Sequence, residues 1–176
     1  ITGTNVFAHV KNLDSFMEGV ALLLADDGIF IQESHYLLDL ITKMQYDSIY
    51  HEHLRYYSIR PLKEIFTRWG FKLLSAERIS THGGSLRTYA ARLNTYPNDD
   101  TVEQLLELEK KEGLEKEETY HNLAKKIKKH RNALIELIYN LKESNKRIVG
   151  IGAPAKGNTL LNYCKFDSDN IEYLTE

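Results

Sequence analysis

Over the first ninety residues, apolar positions alternate between short continuous runs and helical repeats, which predicts alternating strands and helices. Asn5–Val10 is a short apolar run read as a first strand, and Leu13–Leu24 repeats apolar residues at helical spacing with Asp14 near its start. Asp26-Asp27-Gly28 marks a turn, and Gly28–Glu33 follows as a β-branched and aromatic strand. Residues 35–57 show no period and are read as irregular, although they carry five of the eleven tyrosines. Ser58 is placed as the N-cap of a helix through Trp69 that Gly70 stops. Phe71–Ser80 and Leu86–Leu93 then read as two strands joined through His82-Gly83-Gly84 as a hairpin. Strand, helix, strand, helix and hairpin in that order predict a mainly parallel sheet ending with an antiparallel strand.

The pattern changes at Tyr96-Pro97-Asn98-Asp99-Asp100. Residues 102–143 contain no proline and one glycine, Gly113, and fifteen of the 31 residues from Thr101 to Arg131 are charged. Leu123, Ile127, Leu134, Ile138 and Leu141 recur at helical spacing through this stretch, which predicts a pair of solvated helices linking two lobes. The stripe is too short to sustain many coiled-coil heptads. Arg147–Gly152 then reads as a strand running into a glycine turn, 153–158 as a loop, Asn158–Tyr163 as the start of a helix and Ile171–Leu174 as a further strand. The organisation expected is therefore a sheet lobe over 1–96, a charged helical linker over 97–145, and the beginning of a second α/β lobe over 146–176.

Composition narrows the partners. A chain of 176 residues with 42% hydrophobic and 27% charged residues has the make-up of a folded globular protein. Lys and Arg total 23 against 25 Asp and Glu, for a net charge of −2, which gives no reason to expect nucleic acid or an anionic membrane. Apolar stretches such as Val20–Ala25 are far too short to span a bilayer. The single cysteine, Cys164, excludes an internal disulfide and a multi-cysteine zinc site, and fits a reducing, cytoplasmic setting.

The densest chemistry is Tyr50-His51-Glu52-His53, followed by Tyr56-Tyr57. Two imidazoles and a carboxylate within three residues suit acid–base work, with tyrosines to orient an imidazole or a substrate hydroxyl. In an extended segment His51 and His53 would share a face, which also admits a metal pair; against that, the spacing is not that of a zincin helix and no third ligand is apparent. A polar cluster without chemistry is the third reading. His9 is placed at the end of the first strand and Glu33 at the end of the next, where ligands bind in open α/β sheets, though either could be purely structural. His82-Gly83-Gly84-Ser85-Leu86-Arg87 reads either as a plain glycine hairpin or as a turn that lets backbone approach a ligand, with Ser85 and Arg87 as donors to phosphate or sugar oxygens. Gly150-Ile151-Gly152 through Lys156-Gly157-Asn158 is a glycine turn before a helix, a weak phosphate signal that matches neither the P-loop nor the full dinucleotide fingerprint.

Taken in order, Asn5-Val6-Phe7-Ala8-His9-Val10, Tyr50-His51-Glu52-His53-Leu54, His82-Gly83-Gly84-Ser85-Leu86-Arg87 and Gly152-Ala153-Pro154-Ala155-Lys156-Gly157-Asn158 resemble the C-terminal part of the S-adenosylmethionine-dependent sugar C-methyltransferases. The resemblance implies the C-terminal half of a class I methyltransferase Rossmann-like sheet, a helical linker, and the start of a second Rossmann-like α/β domain. Family members methylate keto-deoxysugars linked to a nucleotide, typically dTDP, and combine a zinc-binding module, a methyltransferase sheet and a domain that helps hold the nucleotide-sugar. This chain carries neither the zinc module's cysteines nor the glycine-rich S-adenosylmethionine loop and begins at Ile1, so it is expected to be a fragment. Cofactor-binding residues and structural zinc are expected outside it. By the resemblance, His53 is the base that removes the proton beside the ketone, Glu52 and Tyr50 support it or the sugar, and His9 is a secondary acid–base or positioning residue. Arg87, Ser85, Lys156 and Asn158 are the candidates for substrate contacts, and no catalytic metal is expected. The alternatives are a non-catalytic nucleotide-sugar-binding fragment and a metal enzyme using His51 and His53.

Overall fold

Four strands make the main sheet: β1 (Thr2–Thr4), β2 (Ile29–His35), β3 (Phe71–Ile79) and β4 (Ser85–Arg92), in the spatial order β1-β2-β4-β3. The computed structural model describes residues 1–175. β1 and β2 are parallel, and β4 runs antiparallel to both β2 and β3. The expected antiparallel strand is therefore present, inserted between β2 and β3 rather than at an edge. Its small and apolar positions explain this: Leu86, Ala90 and Ala91 are fully buried and need neighbours on both sides.

The helices follow the predicted spacing with shifted ends. α1 (Leu13–Leu23) is capped by Asn12, whose side chain accepts the Ser15 amide at 3.1 Å; Asp14 lies inside the first turn. α2 (Leu37–Thr42) follows β2 after the single residue Tyr36, and a 3-10 turn forms at Tyr46–Ser48, so the stretch read as irregular is half structured. Its six-residue helix is too short to show a period. α3 (Ile59–Arg68) ends at Trp69 before Gly70, as its sequence predicted. At its start, the amide of Ile59 donates to the Glu109 carboxylate at 2.7 Å, a cap supplied from a distant helix.

Asn5–Val10 is not a strand. Asn5 takes a left-handed backbone (φ 55°), which ends β1 at Thr4 and sends the next residues into a turn. The gain is the burial of Phe7, whose ring stacks on Tyr57 at 5.1 Å and meets Phe16, Phe30 and Phe66 between 5.6 and 6.4 Å. Phe7 anchors the core that α1 and α3 form on one face of the sheet, with Met17, Leu62 and Phe66 fully buried.

The chain forms two compact units, one of residues 1–43 and 51–117, the other of residues 44–50 and 118–176. α4 (Thr101–Lys111) belongs to the first, packing on β3 and α3 and burying Val102 and Glu109. The second contains α5 (Glu117–Glu143), which has no buried residue, then β5 (Gly150–Ile151), α6 (Ala155–Cys164) and β6 (Leu174–Thr175), with β5 and β6 parallel. These strands are two residues long each, shorter than the apolar runs predicted, and the helix starts three residues earlier than expected because Pro154 serves as its N-cap. Within this unit the 3-10 turn packs on α6: Tyr46 lies edge-on to Tyr163, and its hydroxyl is 3.0 Å from His130 Nδ1.

Candidate active site

β1, β2 and β3 all point the same way, and a histidine follows or ends each of them. His35 closes β2, His82 sits in the turn after β3, and His9 lies in the turn after β1 rather than at the strand end predicted for it. His53 joins them from the segment 51–57, which is laced to these ends by backbone bonds. The Leu54 amide donates to the Ala8 carbonyl (3.0 Å), the Leu37 amide to the Tyr57 carbonyl (2.8 Å), and Arg55 to the carbonyls of Val10 and Lys11. The Tyr57 hydroxyl donates to the Phe7 carbonyl, and burial pushes that phenol up to about 12, so it stays a donor.

The imidazoles consequently form a cluster. The His53 ring lies 4.9 Å from that of His9 and 4.7 Å from that of His35; His35 lies 5.9 Å from His82, and Tyr56 stands edge-on to His53 at 6.2 Å. His53 is the buried member, whereas His9 and His82 are exposed. His51 and Glu52 occupy a turn and are both exposed, so His51 and His53 do not share an extended face. Among the described residues no group of three His, Cys, Asp or Glu side chains is placed to hold a metal ion.

The hairpin turn beside the cluster is fixed from beneath. Asp39 of α2 is fully buried and accepts two bonds from Arg78 (2.7 and 2.8 Å) and one ion pair from Lys43 (2.7 Å). Burial alone would raise its carboxyl, but Arg78 and Lys43 outweigh that and hold it below the ordinary carboxylate range. Lys43 also donates to the Gly83 carbonyl and the Tyr36 amide to the Gly84 carbonyl. Gly84 (φ 141°) lies so close to Asp39 that a Cβ there would fall 2.6 Å from Oδ2. Ser85 is fully buried and its hydroxyl donates to the Thr81 carbonyl at 3.1 Å, which closes the turn.

Glu33 lies two residues inside β2, not at its end, and is 6% exposed. It accepts from Thr81 and from Arg87 Nε and Nη2 (3.1 and 3.0 Å), while Arg87 Nη1 reaches Glu77 at 3.1 Å. Arg87, expected as a phosphate donor, is thus paired with two carboxylates across three adjacent strands. Glu109 is a third buried carboxylate, accepting from Ile59 N–H and from the Tyr36 hydroxyl (2.9 Å); burial raises it in spite of these donors.

In the second unit Lys156 and Asn158 lie on the first turn of α6 and are exposed, Lys156 Nζ 3.9 Å from Asp47. Beside that turn is a cavity of about 210 Å³, lined by Gly150, Gly152, Pro154, Asn158, Leu161 and Ile171. Tyr50 is half-buried and groups with this unit.

His35, His82, Asp39 and Glu109 hold places in this arrangement that the sequence reading did not assign. His82 lay inside a motif already singled out, but the other three had no periodic or motif signal, because their significance is a matter of distant partners.

A mixed α/β sheet with an inserted antiparallel strand and acid–base side chains at the carboxyl ends of its parallel strands is the Rossmann-like arrangement of a methyltransferase domain. Residues 1–76 match the family model described as a methyltransferase domain, and residues 80–176 the one described as the C-methyltransferase C-terminal domain. The chain is 31% identical over 177 aligned residues to the C-methyltransferase NovU of Streptomyces niveus, an alignment that covers 100% of this chain and 42% of that protein. It belongs to the C-methyltransferase family, and it spans about two-fifths of the length of this curated relative. Among the described residues no helix is long and apolar enough to cross a membrane.

Proposed function

We propose that the protein containing this chain is an S-adenosylmethionine-dependent C-methyltransferase acting on a nucleotide-linked keto-deoxysugar, and that this chain supplies the base. The observation that carries the reading is the position of His53, a buried imidazole between His9 and His35 at the carboxyl ends of the sheet. The proton beside a ketone is removed as the C–H bond breaks; the proton goes to imidazole nitrogen and the electron pair moves onto the keto oxygen as an enolate. Imidazole is a base suited to this near neutral pH, where lysine is already protonated and a carboxylate is a weak base. His9, Glu52 and Tyr50 are assigned supporting roles to the base or the sugar.

The residues at the ends of β1 and β2 make no cradle for S-adenosylmethionine. The turns there contain no glycine and are filled by Phe7 and Tyr36, at 1% and 0% exposure. Binding of the methyl donor is assigned to residues outside this chain, and the chain's own residues to the acceptor side of the reaction. In the sheet unit, Ser85 and Arg87 are assigned to shaping the hairpin turn and Glu33 beside the sugar. In the second unit, Lys156 and Asn158 are assigned to the nucleotide phosphates, supported by the exposed lysine on the first turn of a ten-residue helix.

The test is isotope exchange in the full-length protein. A dTDP-linked 4-keto-6-deoxyhexose deuterated beside the ketone should lose its label to solvent with wild type and at least about 100-fold more slowly with His53→Asn. Exchange at the wild-type rate in that variant would remove His53 as the base.

A further inference from the structure

His82 is the one member of the imidazole cluster held in a left-handed backbone conformation (φ 51°, ψ 29°), a region that a residue bearing a Cβ disfavours. It is exposed, so burial of its side chain does not explain the strain. The turn around it is over-determined instead. Lys43 holds the Gly83 carbonyl, Tyr36 N–H the Gly84 carbonyl and the Ser85 hydroxyl the Thr81 carbonyl, Thr81 Oγ1 donates to Glu33, and the fully buried Asp39, clamped by Arg78, fills the space that a side chain on Gly84 would need. With these turn carbonyls engaged, the imidazole is the group the turn offers to a ligand. Strain maintained by surrounding structure at the mouth of a site is the pattern of a preorganised functional group.

We propose that His82 is a further catalytic residue, donating a hydrogen bond to the keto oxygen of the sugar where charge develops as His53 removes the neighbouring proton. This rests on the reading of His53 as the base. His82 is linked to His53 through His35, whose ring lies 4.7 Å from that of His53 and 5.9 Å from that of His82, so donor and base belong to one imidazole cluster. A donor aimed at the developing oxyanion acts mainly on turnover and little on ground-state binding.

Two substitutions test this in the full-length protein, with His53→Asn as the control and the same deuterated dTDP-linked keto-sugar as probe. His82→Gly relieves the left-handed strain, and His82→Asn keeps a residue that tolerates it; both remove the imidazole. The expected result for both is a melting temperature no lower than wild type, with kcat for exchange down about 100-fold and KM within about twofold. Exchange at the wild-type rate in either His82 variant, with His53→Asn impaired, overturns the proposal and leaves the base reading intact. Melting several degrees lower in both variants also overturns it, because the ring would then be holding the fold. If His53→Asn exchanges as fast as wild type, the base reading fails and the His82 proposal with it.

Discussion

Asp39 and Glu109 are both buried carboxylates of the sheet unit, and they respond to pH with opposite sign. Asp39 faces two cations, and its acidity is shifted below the ordinary value, so its contribution to stability is present above the unfolded-state carboxylate range, near 4, and is lost as pH falls through its lower folded value. Glu109 faces only neutral donors. Burial raises it, so its contribution is complete below the unfolded range and is lost as pH rises through the raised folded value. Asp39→Asn should therefore cost about 1–3 kcal/mol at pH 7, since Arg78 and Lys43 lose their counter-charge. In denaturant titrations that difference should begin to shrink as pH falls below the unfolded-state range near 4; an undiminished loss in acid would refute the assignment.

The β3–β4 hairpin is where element geometry and site geometry coincide. Its strands are ordinary β-sheet sequence, but the turn of Thr81–Gly84 has a shape dictated by α2, because Asp39 occupies the space beside Gly84. Gly84→Ala must push a methyl against a carboxyl that Arg78 and Lys43 hold in place, in a backbone conformation (φ 141°) closed to L-residues. The expected loss is about 2–4 kcal/mol by thermal or denaturant unfolding. Gly70→Ala, at φ 76° with open space around the position, should cost only about 1 kcal/mol. Equal losses at the two glycines would show that conformation alone, and not contact with Asp39, sets the cost at Gly84. The same comparison explains why α2 escaped the sequence reading: six residues hold less than two helical turns, and its role lies in one aspartate against a distant glycine.

At the scale of the whole molecule, the two units differ in how their helices are held. α3 and α4 bury side chains against the sheet, whereas α5 runs for 27 residues without a single buried one. Its central amides should exchange with deuterium faster than those of β2 and β4, and protection equal to the sheet's would contradict this. The periodicity of apolar residues was enough to determine the mixed α/β class, the positions of α1 and α3, the hairpin and the charged helices, since each depends on neighbours within about ten residues in the chain. The segments holding His9, His53 and His82 could also be singled out in the sequence, because each is a short local motif. Tertiary structure alone decided that Asn5–Val10 would turn inward to bury Phe7, that β4 would enter between β2 and β3, and that Glu109 would cap α3 from fifty residues away. It also decided that four imidazoles from separate segments would meet at the carboxyl ends of three strands. The physical reason is common to these cases: a local pattern records which face of a segment avoids water, but the partner that a buried ring, carboxylate or imidazole meets is chosen by the packing of the whole chain.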